Sequence, residues 1–441
     1  MIDNPHSSLQ IPPKMWRQIS QAMLANSIDE EETIGFLFCD RITSTMGTRY
    51  IPRAWVVPTR DCYELQSSSG LILNQEFHQY LLDNFLGDRQ FDVVHIHTHA
   101  ETDLPDFSAV DDRAESEYAR FLSDRSNDRS HLISGVFDSS LEHGQFRIWN
   151  CQGTSFEAIE CHRGWLEFDR VASTAPADPM FDRQQIFGRG CQQKLSQLTV
   201  ALIGCGGIGA IFAETLGRLG VKNWILVDPD RLEISNLNRM PGATLAMVEE
   251  NWLKVRYVRQ LLNRIDPSGG RVIGIADSIT LDPPEIATAD IIVVATDNHS
   301  SRQIAQEIAL KYRRPLVCLG THIEVGRDNR PRLYARITVP PLGGGWCLMC
   351  GNIINLHRAA LETAPSPIEQ LATGYITGIP DPAVFWLNGL CASMGAGVIH
   401  GLVGGFMDVD DGLDWIFDCA NGNWLKTDVH SITHPDCYFC H

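Results

Sequence analysis

Three groups of residues have the types and spacing that chemistry requires. Cys347-Leu-Met-Cys350 and Cys437-Tyr-Phe-Cys440 are two Cys-x-x-Cys knuckles. Four thiolates in two such turns suit a tetrahedral Zn2+. With no coordination position left for water, that site is expected to be structural. A redox disulfide in either pair is the competing reading. The second group is His97-x-His99, at the end of the run "DVVHIHTH". Alternate residues on a strand point the same way, so both imidazoles can reach one metal. Asp111 follows in "SAVD" and can complete a two-histidine, one-carboxylate catalytic zinc site whose fourth position holds water. Glu32, just ahead of the strand-like "TIGFLFC", is placed to act as general base. The third group is the run Gly204-Cys-Gly-Gly-Ile-Gly209.

That glycine run follows "TVALI" directly and opens a helical pattern. Gly204 permits the tight turn. Gly206, with Gly207 beside it, lets the backbone approach a phosphate, and Gly209 permits close packing of helix on strand. Asp228 ends the next strand, where a carboxylate can accept from both ribose hydroxyls. The motif alone leaves a nicotinamide dehydrogenase open. The residues that follow point elsewhere. "DPDRLEISNLNRM" sets Asp228, Asp230, Asn236, Asn238 and Arg239 at and just after the strand end. Lys254 follows in "WLKVRYVRQLL", and Asp297 ends a strand in "VVATDN" with Arg302 five residues on. Such cations offset charge on phosphoryl oxygens, and an aspartate can hold Mg2+ against them. An enzyme attacking ATP at its α-phosphate needs that set, and a nicotinamide enzyme does not. For Asp230 a turn-capping role stands level with a catalytic one. For Arg302 a helix-start salt bridge is favoured.

Positioning these groups takes more than one folded unit. The chain has 441 residues, 44% of them hydrophobic, which is material for two or three cores. A formal net charge of -18 excludes a general nucleic-acid binder, and the apolar content argues against disorder. No segment reads as a transmembrane helix. Thirteen scattered cysteines indicate a reducing, cytoplasmic setting rather than a disulfide framework. Residues 1–165 read as an α+β unit. Strands are expected at Thr33–Cys39, Tyr50–Val57, Asp92–His97 and Leu132–Phe137, with an edge strand at Gly144–Asn150 and helices at Pro13–Leu24 and Leu71–Leu86. "VASTAPADPM" suits a linker, placed at 166–180. Residues 181–441 alternate strand and helix, including a charged helix at Glu249–Ile265. That pattern predicts an α/β unit with a Rossmann-like, mostly parallel sheet. Residues 340–390 are expected to hold long loops, and "FWLNGLCASMGAGVIHGLVG" a packed helix.

Residues from about 180 to 441 resemble the E1-like adenylyltransferases of the ThiF/MoeB type. The pieces that carry the resemblance are Arg183-Gln184, "GCGGIG", "VDPD", "SNLNR", Lys254 and "ATDN" followed by "SR". It implies ATP-dependent adenylation of the C-terminal glycine carboxylate of a ubiquitin-like or sulfur-carrier protein. It further implies Asp228 on the ribose, Asn236, Arg239 and Lys254 on the phosphates, and Asp297 on Mg2+. Arg183 would be an arginine finger acting in a second subunit, hence a symmetric homodimer. The attacking carboxylate is already ionised at neutral pH, so no strong base is needed. Members that form a thioester place a cysteine after the first knuckle. Residues 351–385 hold none, and Cys391 and Cys318 read as small core residues. Thioester formation is therefore in doubt, while adenylation is unaffected.

Residues from about 10 to 160 resemble the JAB/JAMM metalloproteases, which cut after the C-terminal glycine of ubiquitin-like proteins. Glu32 three residues before Gly35, His97-x-His99 and Ser108-Ala-Val-Asp111 carry the match. Two departures stand out: eight residues rather than seven separate His99 from Ser108, and Ala100 replaces the usual proline. The resemblance implies a catalytic Zn2+ on His97, His99 and Asp111, Glu32 as general base, and Ser108 as donor to the oxyanion. The longer spacing leaves Asp112, Asp103 and Asp106 as alternative ligands. His95 reads as a core or supporting residue, and Glu31 as pointing away from Glu32. Both halves would then act on one kind of tail, either by trimming a precursor before adenylation or by reversing a conjugation. Two readings of other classes stay open: a non-catalytic assembly module that binds such tails, and a dinucleotide-dependent oxidoreductase with a metal domain. No nucleic-acid or membrane partner is expected.

Overall fold

The computed structural model describes all residues except 1–5, 29–30, 45–46, 87–90, 100–104, 128, 165, 167–178, 267–269, 282–283, 326–328, 343, 364–381, 433–436 and 441. Most of the expected linker lies outside the described residues. The chain divides into two compact units, Met1–Glu167 and Phe168–His441.

The first unit runs β1 (His6–Gln10), α1 (Pro13–Asn26), β2 (Ile34–Ser44), β3 (Gly47–Val56), β4 (Tyr63–Ser67), β5 (Gly70–Leu73) and α2 (Gln75–Asn84). It continues with β6 (Asp92–His99), α3 (Ala109–Ser126), β7 (Leu132–Asp138), β8 (Gly144–Trp149), β9 (Phe156–Ala158) and β10 (Glu160–His162). Eight strands form one sheet in the order β10-β1-β3-β2-β6-β7-β8-β9, and β4 with β5 makes a separate ribbon. Period-two alternation sorts the two faces. Leu37, Val94, Ile96 and Ile133 pack with Ile19 and Met23 of α1. Ile34, Phe36 and Val93 pack with Phe77 and Leu81 of α2 and with Ala119 and Leu122 of α3. By parity His95, His97 and His99 lie on this second face.

Two expectations change here. Gly144–Asn150 is not an edge, because β9 pairs along its outer side. The helix expected at Leu71–Leu86 begins only at Gln75. Residues 70–73 are strand, and Asn74 caps α2 by accepting the Phe77 N–H at 2.9 Å.

The second unit runs α4 (Arg189–Gln197), β11 (Thr199–Ile203), α5 (Gly207–Arg218), β12 (Asn223–Val227), α6 (Leu245–Glu249), α7 (Lys254–Ile265), β13 (Val272–Ile275), β14 (Ile291–Val294) and α8 (His299–Tyr312). It continues with β15 (Leu316–Val325), β16 (Pro331–Val339), α9 (Leu356–Glu362), α10 (Phe385–Gly404), β17 (Leu413–Asp418) and β18 (Asn423–Lys426). The sheet order is β13-β12-β11-β14-β15-β16-β17-β18. The first five strands are parallel and the rest antiparallel. The Rossmann-like sheet is thus mixed rather than mostly parallel. The connection from β15 to β16 is too short for a parallel crossover, so the chain doubles back. Strand order reverses between β11 and β14, the switch point where such sheets bind ligands.

The charged helix starts at Lys254, not Glu249, because left-handed Asn251 (φ 56°) separates it from α6. Among the described residues of 340–390 there is one short helix, α9. By length and composition α10 passes as a membrane span, contrary to the sequence expectation, but most of it is buried. It packs on β15, β16 and α5. Gly395 meets Leu319 so closely that a Cβ would lie 2.5 Å from its side chain.

Candidate active sites

In the first unit β2 and β6 pair antiparallel, with Ile34 opposite His97. Glu32 lies just ahead of β2, near enough for the charges of His99 and Asp111 to act on it. Thr33 N–H donates to Thr98 Oγ1 at 2.9 Å, and Thr98 N–H to Thr33 O at 3.0 Å, which fastens this end. His97 Nε2 and His99 Nε2 lie 3.2 Å apart. Asp111 Oδ1 is 3.4 Å from the first and Oδ2 is 3.5 Å from the second. Two ring nitrogens and a carboxylate converging within 4.8 Å fit a cation among them.

Asp111 is delivered by a capping box. Ser108 is the N-cap of α3, and its Oγ accepts the N–H of Val110 at 3.3 Å and of Asp111 at 3.2 Å. Asp111 Oδ2 accepts the Ser108 N–H at 2.6 Å in return. The exposed Ser108 hydroxyl keeps its own proton to donate. The other aspartates are engaged elsewhere: Asp112 with Arg147 at 2.7 Å, and Asp106 with Gln145 Nε2 at 2.9 Å. Asp103 lies outside the described residues. Glu31 pairs with Arg60 at 2.6 Å.

The electrostatics suit a metal and a base. Burial pushes the His97 ring towards its neutral, ligating form. Hydrogen bonding to Asp111 raises His99. Burial opposes the charge on Asp111, but its bonds to both histidines outweigh that and hold it well below the usual carboxylate range. Burial raises Glu32, the nearby His99 opposes that rise, and Asp111 adds to it.

Behind the cluster lies a set the motifs do not mark. His95 Nε2 is 2.9 Å from Ser134 Oγ and 3.4 Å from Glu115 Oε1. Glu115, fully buried, accepts from Trp149 Nε1 and Arg147 Nε, both at 2.8 Å. Burial opposes its ionisation, yet His95, Trp149 and Arg147 bring its carboxyl down to about 2. The Arg147 guanidinium also lies 3.7 Å from the Phe107 ring centre. One arginine on β8 therefore grips both Asp112 and Glu115 in the first turns of α3. The sequence signal was slight: Glu115 lies four residues from Asp111, on the same helix face.

In the second unit the turn from β11 into α5 holds the glycines. Gly204 has φ +96°, and a Cβ on it would lie 2.8 Å from Ala295 O. A Cβ on Gly209 would lie 1.9 Å from Gly204 O, whereas one on Gly206 would meet open space. Asp228 is buried; its Oδ2 accepts the Cys205 N–H at 2.7 Å and its Oδ1 the Asp230 N–H at 2.8 Å. Each oxygen retains a lone pair. Burial raises this carboxyl, and the charge of Lys254 opposes the rise. Lys254 Nζ sits 2.8 Å from Asp230 Oδ2. The Arg239 stem lies over Gly207, and its Nη1 donates to Ser235 O and to Asn238 Oδ1. Asn236 is buried, and its Oδ1 closes a turn by accepting the Glu233 N–H at 3.1 Å.

Asp297 is exposed at the carboxyl end of β14, two residues past the Ala295 that Gly204 touches. Asn298 caps α8, and Arg302 donates to Thr296 O at 2.8 and 3.2 Å, a helix-start contact to a backbone carbonyl. Glu362 of α9 accepts the N–H groups of His299 at 3.1 Å and Ser300 at 2.8 Å, next to Asp297. Arg183 is exposed on the helical turn Pro179–Phe187.

The four knuckle cysteines converge. Cys347 Sγ is 3.7 Å from Cys350 Sγ and 3.6 Å from Cys437 Sγ, and Cys350 Sγ is 3.6 Å from Cys440 Sγ. A disulfide needs about 2.05 Å. Four sulfurs about 2.3 Å from a tetrahedral zinc stand about 3.8 Å apart, so the set fits the metal and not a bridge. Cys391 is fully buried. Burial pushes its thiol up to about 12, and its Sγ donates to Gly320 O and Arg336 O at 3.5 Å. It sits in the core, as its apolar sequence setting suggests.

A glycine turn, an acid at the next strand end and basic residues at the switch point of a mixed α/β sheet define a nucleotide-binding fold. The ThiF family model matches residues 181–407, more than half of the sequence, and the chain belongs to the ThiF family. The sulfur carrier protein ThiS adenylyltransferase of Bacillus subtilis (strain 168) is 31% identical over 184 residues, 39% of this chain and 54% of that protein. The adenylyltransferase and sulfurtransferase MOCS3 of Sus scrofa is 25% identical over 258 residues, 56% of this chain and 49% of that protein. The chain thus spans about half the length of these relatives. Among solved structures, Escherichia coli MccB with MccA-N7isoASN aligns at 19% identity and a TM-score of 0.49, over 60% of this chain and 75% of that one.

Proposed function

We propose that residues 181–441 use ATP and Mg2+ to adenylate the C-terminal glycine of a ubiquitin-like or sulfur-carrier protein. The observation that carries this is the glycine turn with Asp228, Arg239 and Lys254 around it, in a chain of the ThiF family. Two relatives named as adenylyltransferases, one of them for the sulfur carrier ThiS, support the choice of reaction and partner. Gly206 and Gly207 N–H groups, with Asn236, Arg239 and Lys254, hold phosphate oxygens. Asp228 accepts ribose hydroxyls with its remaining lone pairs. Asp297 holds Mg2+. The partner's carboxylate oxygen bonds to the α-phosphorus, the bond to the bridging oxygen breaks, and pyrophosphate leaves with the electron pair. Arg183 acts across a two-fold dimer. An Arg183→Ala subunit paired with an Asp297→Ala subunit then recovers exchange activity, and no recovery in verified heterodimers places Arg183 in cis.

Residues 1–165 form the second half of the proposal, a JAMM-type hydrolase for the bond after the same glycine. The cluster of His97, His99 and Asp111, with Glu32 close enough to feel their charges, supports it. A Zn2+ on those three residues would polarise the scissile carbonyl and acidify a water. Glu32, whose carboxyl burial raises, takes a proton from the water as its oxygen adds to the carbonyl carbon, and passes that proton to the amine as the C–N bond breaks. Ser108 donates its hydroxyl to the carbonyl oxygen. A second zinc on Cys347, Cys350, Cys437 and Cys440 is structural. The chain is incubated with Mg-ATP and a panel of carriers, some ending in Gly-Gly and some extended beyond it, and each carrier is weighed by mass spectrometry. An adenylate on the trimmed forms and shortening of the extended ones are expected. A panel without any adenylate removes the first half, and one without cleavage removes the second.

A further inference from the structure

We propose that Asn388 donates a hydrogen bond to the phosphate held at the glycine turn. The inference rests on the adenylation reading of that site and adds a ligand-contacting residue to it. Asn388 lies near the start of α10 and is only 3% exposed. Its Oδ1 accepts the hydroxyl of Thr321, on β15, at 3.3 Å. That bond fixes the side-chain rotation, with the oxygen towards β15 and the amino group on the other side. The amino group stands against the glycine turn. A Cβ on Gly207 would lie 2.6 Å from Asn388 Nδ2 and 3.2 Å from Arg239 Cγ. Gly207 is glycine because these two side chains crowd it, not because its backbone demands one.

The two Nδ2 protons find no acceptor among the described residues. The nitrogen is not sealed from solvent, so an incoming oxygen can reach it. What the surroundings select is an anionic oxygen. The N–H groups at the start of α5, which has twelve residues, carry the positive end of the helix dipole. Gly206 faces open space beside them, and Arg239 stands on the other side. An amide there adds direction without adding charge. Within a mostly apolar helix, nothing in the sequence marks Asn388 as functional.

The test uses the full zinc-loaded chain and measures Mg-ATP binding by calorimetry alongside the melting midpoint. Asn388→Asp keeps the size and the Thr321 bond but replaces a donor with an anion. It is expected to weaken ATP binding at least about 100-fold with little change in melting. Asn388→Ala loses the donor and the packing, with about 10-fold weaker binding and the lower midpoint of the two. That opposite ranking in the two measurements is the signature of ligand contact. Equal ATP affinity in Asn388→Asp and wild type overturns the inference, as does binding that merely follows stability. Should Asn388→Asp fail to fold, Thr321→Val decides. Unpinning the amide weakens binding about fivefold if the inference holds, and unchanged binding overturns it. A wild type that binds no ATP overturns the adenylation reading itself, so the two failures are told apart.

Discussion

Asp111 performs two tasks with one carboxylate: it caps α3 and it faces two imidazoles. His97 has only the second task. His97→Ala should therefore cost one metal ion without costing the fold. Metal analysis of replete wild-type chain is expected to give two zinc ions, and His97→Ala one, with the melting midpoint little changed. One zinc in the wild type, or two in the variant, contradicts the assignment. At this scale the two histidines were legible because a strand's period of two puts them on one face. Asp111 was legible only through the Ser-x-x-Asp match, with Asp112, Asp103 and Asp106 open beside it, and the helix start that aims it was not. Glu115, Arg147 and Asn388 were not, because only tertiary packing brings them to their sites. Asn236 was visible in the motif, but its engagement in closing a turn was not.

Among elements, α3 is held by its capping box and by Arg147, which binds Asp112 and Glu115 at 2.6–2.8 Å. Arg147→Lys keeps the charge and loses the fork. It is expected to weaken Co2+ binding at the histidine site about tenfold, as supporting residues of metal sites do. The thiolate absorption of cobalt in the cysteine site should stay the same. Unchanged affinity at both sites means the capping box alone sets Asp111.

A second tie joins β16, β17 and the first knuckle. Asp414 accepts from Arg336 and Thr338 at 2.8 Å and from Thr427 at 2.6 Å, and Arg336 also donates to Gly351 O at 2.8 Å. Burial raises the Asp414 carboxyl, but Arg336 and the two threonines outweigh this and lower it from 3.8. The folded state thus favours the ion. The stability it contributes is present above about pH 4 and is lost as pH falls through the lower folded value. Asp414→Asn is expected to cost about 3 kcal/mol at pH 7 in urea unfolding, with the gap to wild type closing below pH 4. A gap independent of pH refutes the ionic account. The apolar parallel strands β11, β12 and β14 of this unit were legible because each is a continuous buried run next to a helical pattern. The antiparallel half was not, because the direction of β16 depends on a connection and not on strand composition. The short strands β1, β4, β5, β9 and β10 carry too few residues for a period to show.

For the whole molecule, the proposal is that both units serve one tail in order. An amide after the terminal glycine is no nucleophile toward phosphorus, so it must be cut before the carboxylate can react. Wild-type chain should support exchange with an extended carrier after a lag. Glu32→Ala should give none with the extended form and normal rates with a trimmed one, because its change lies outside the adenylation residues. Equal rates of the variant and wild type on the extended carrier end the trimming model. Release of a carrier from a conjugate, without cleavage of any precursor, puts the reversal model in its place.

The adenylation claim is tested most directly by ATP–pyrophosphate exchange in the presence of a carrier ending in Gly-Gly, comparing wild type with Asp297→Ala. An exposed aspartate at a strand end contributes little to folding, so the variant should melt with the wild type. The account predicts carrier-dependent exchange in the wild type and a loss of at least about 100-fold in the variant, or about 2.7 kcal/mol of transition-state stabilisation. Exchange that persists undiminished in Asp297→Ala, or that no carrier in the panel elicits from the wild type, contradicts it.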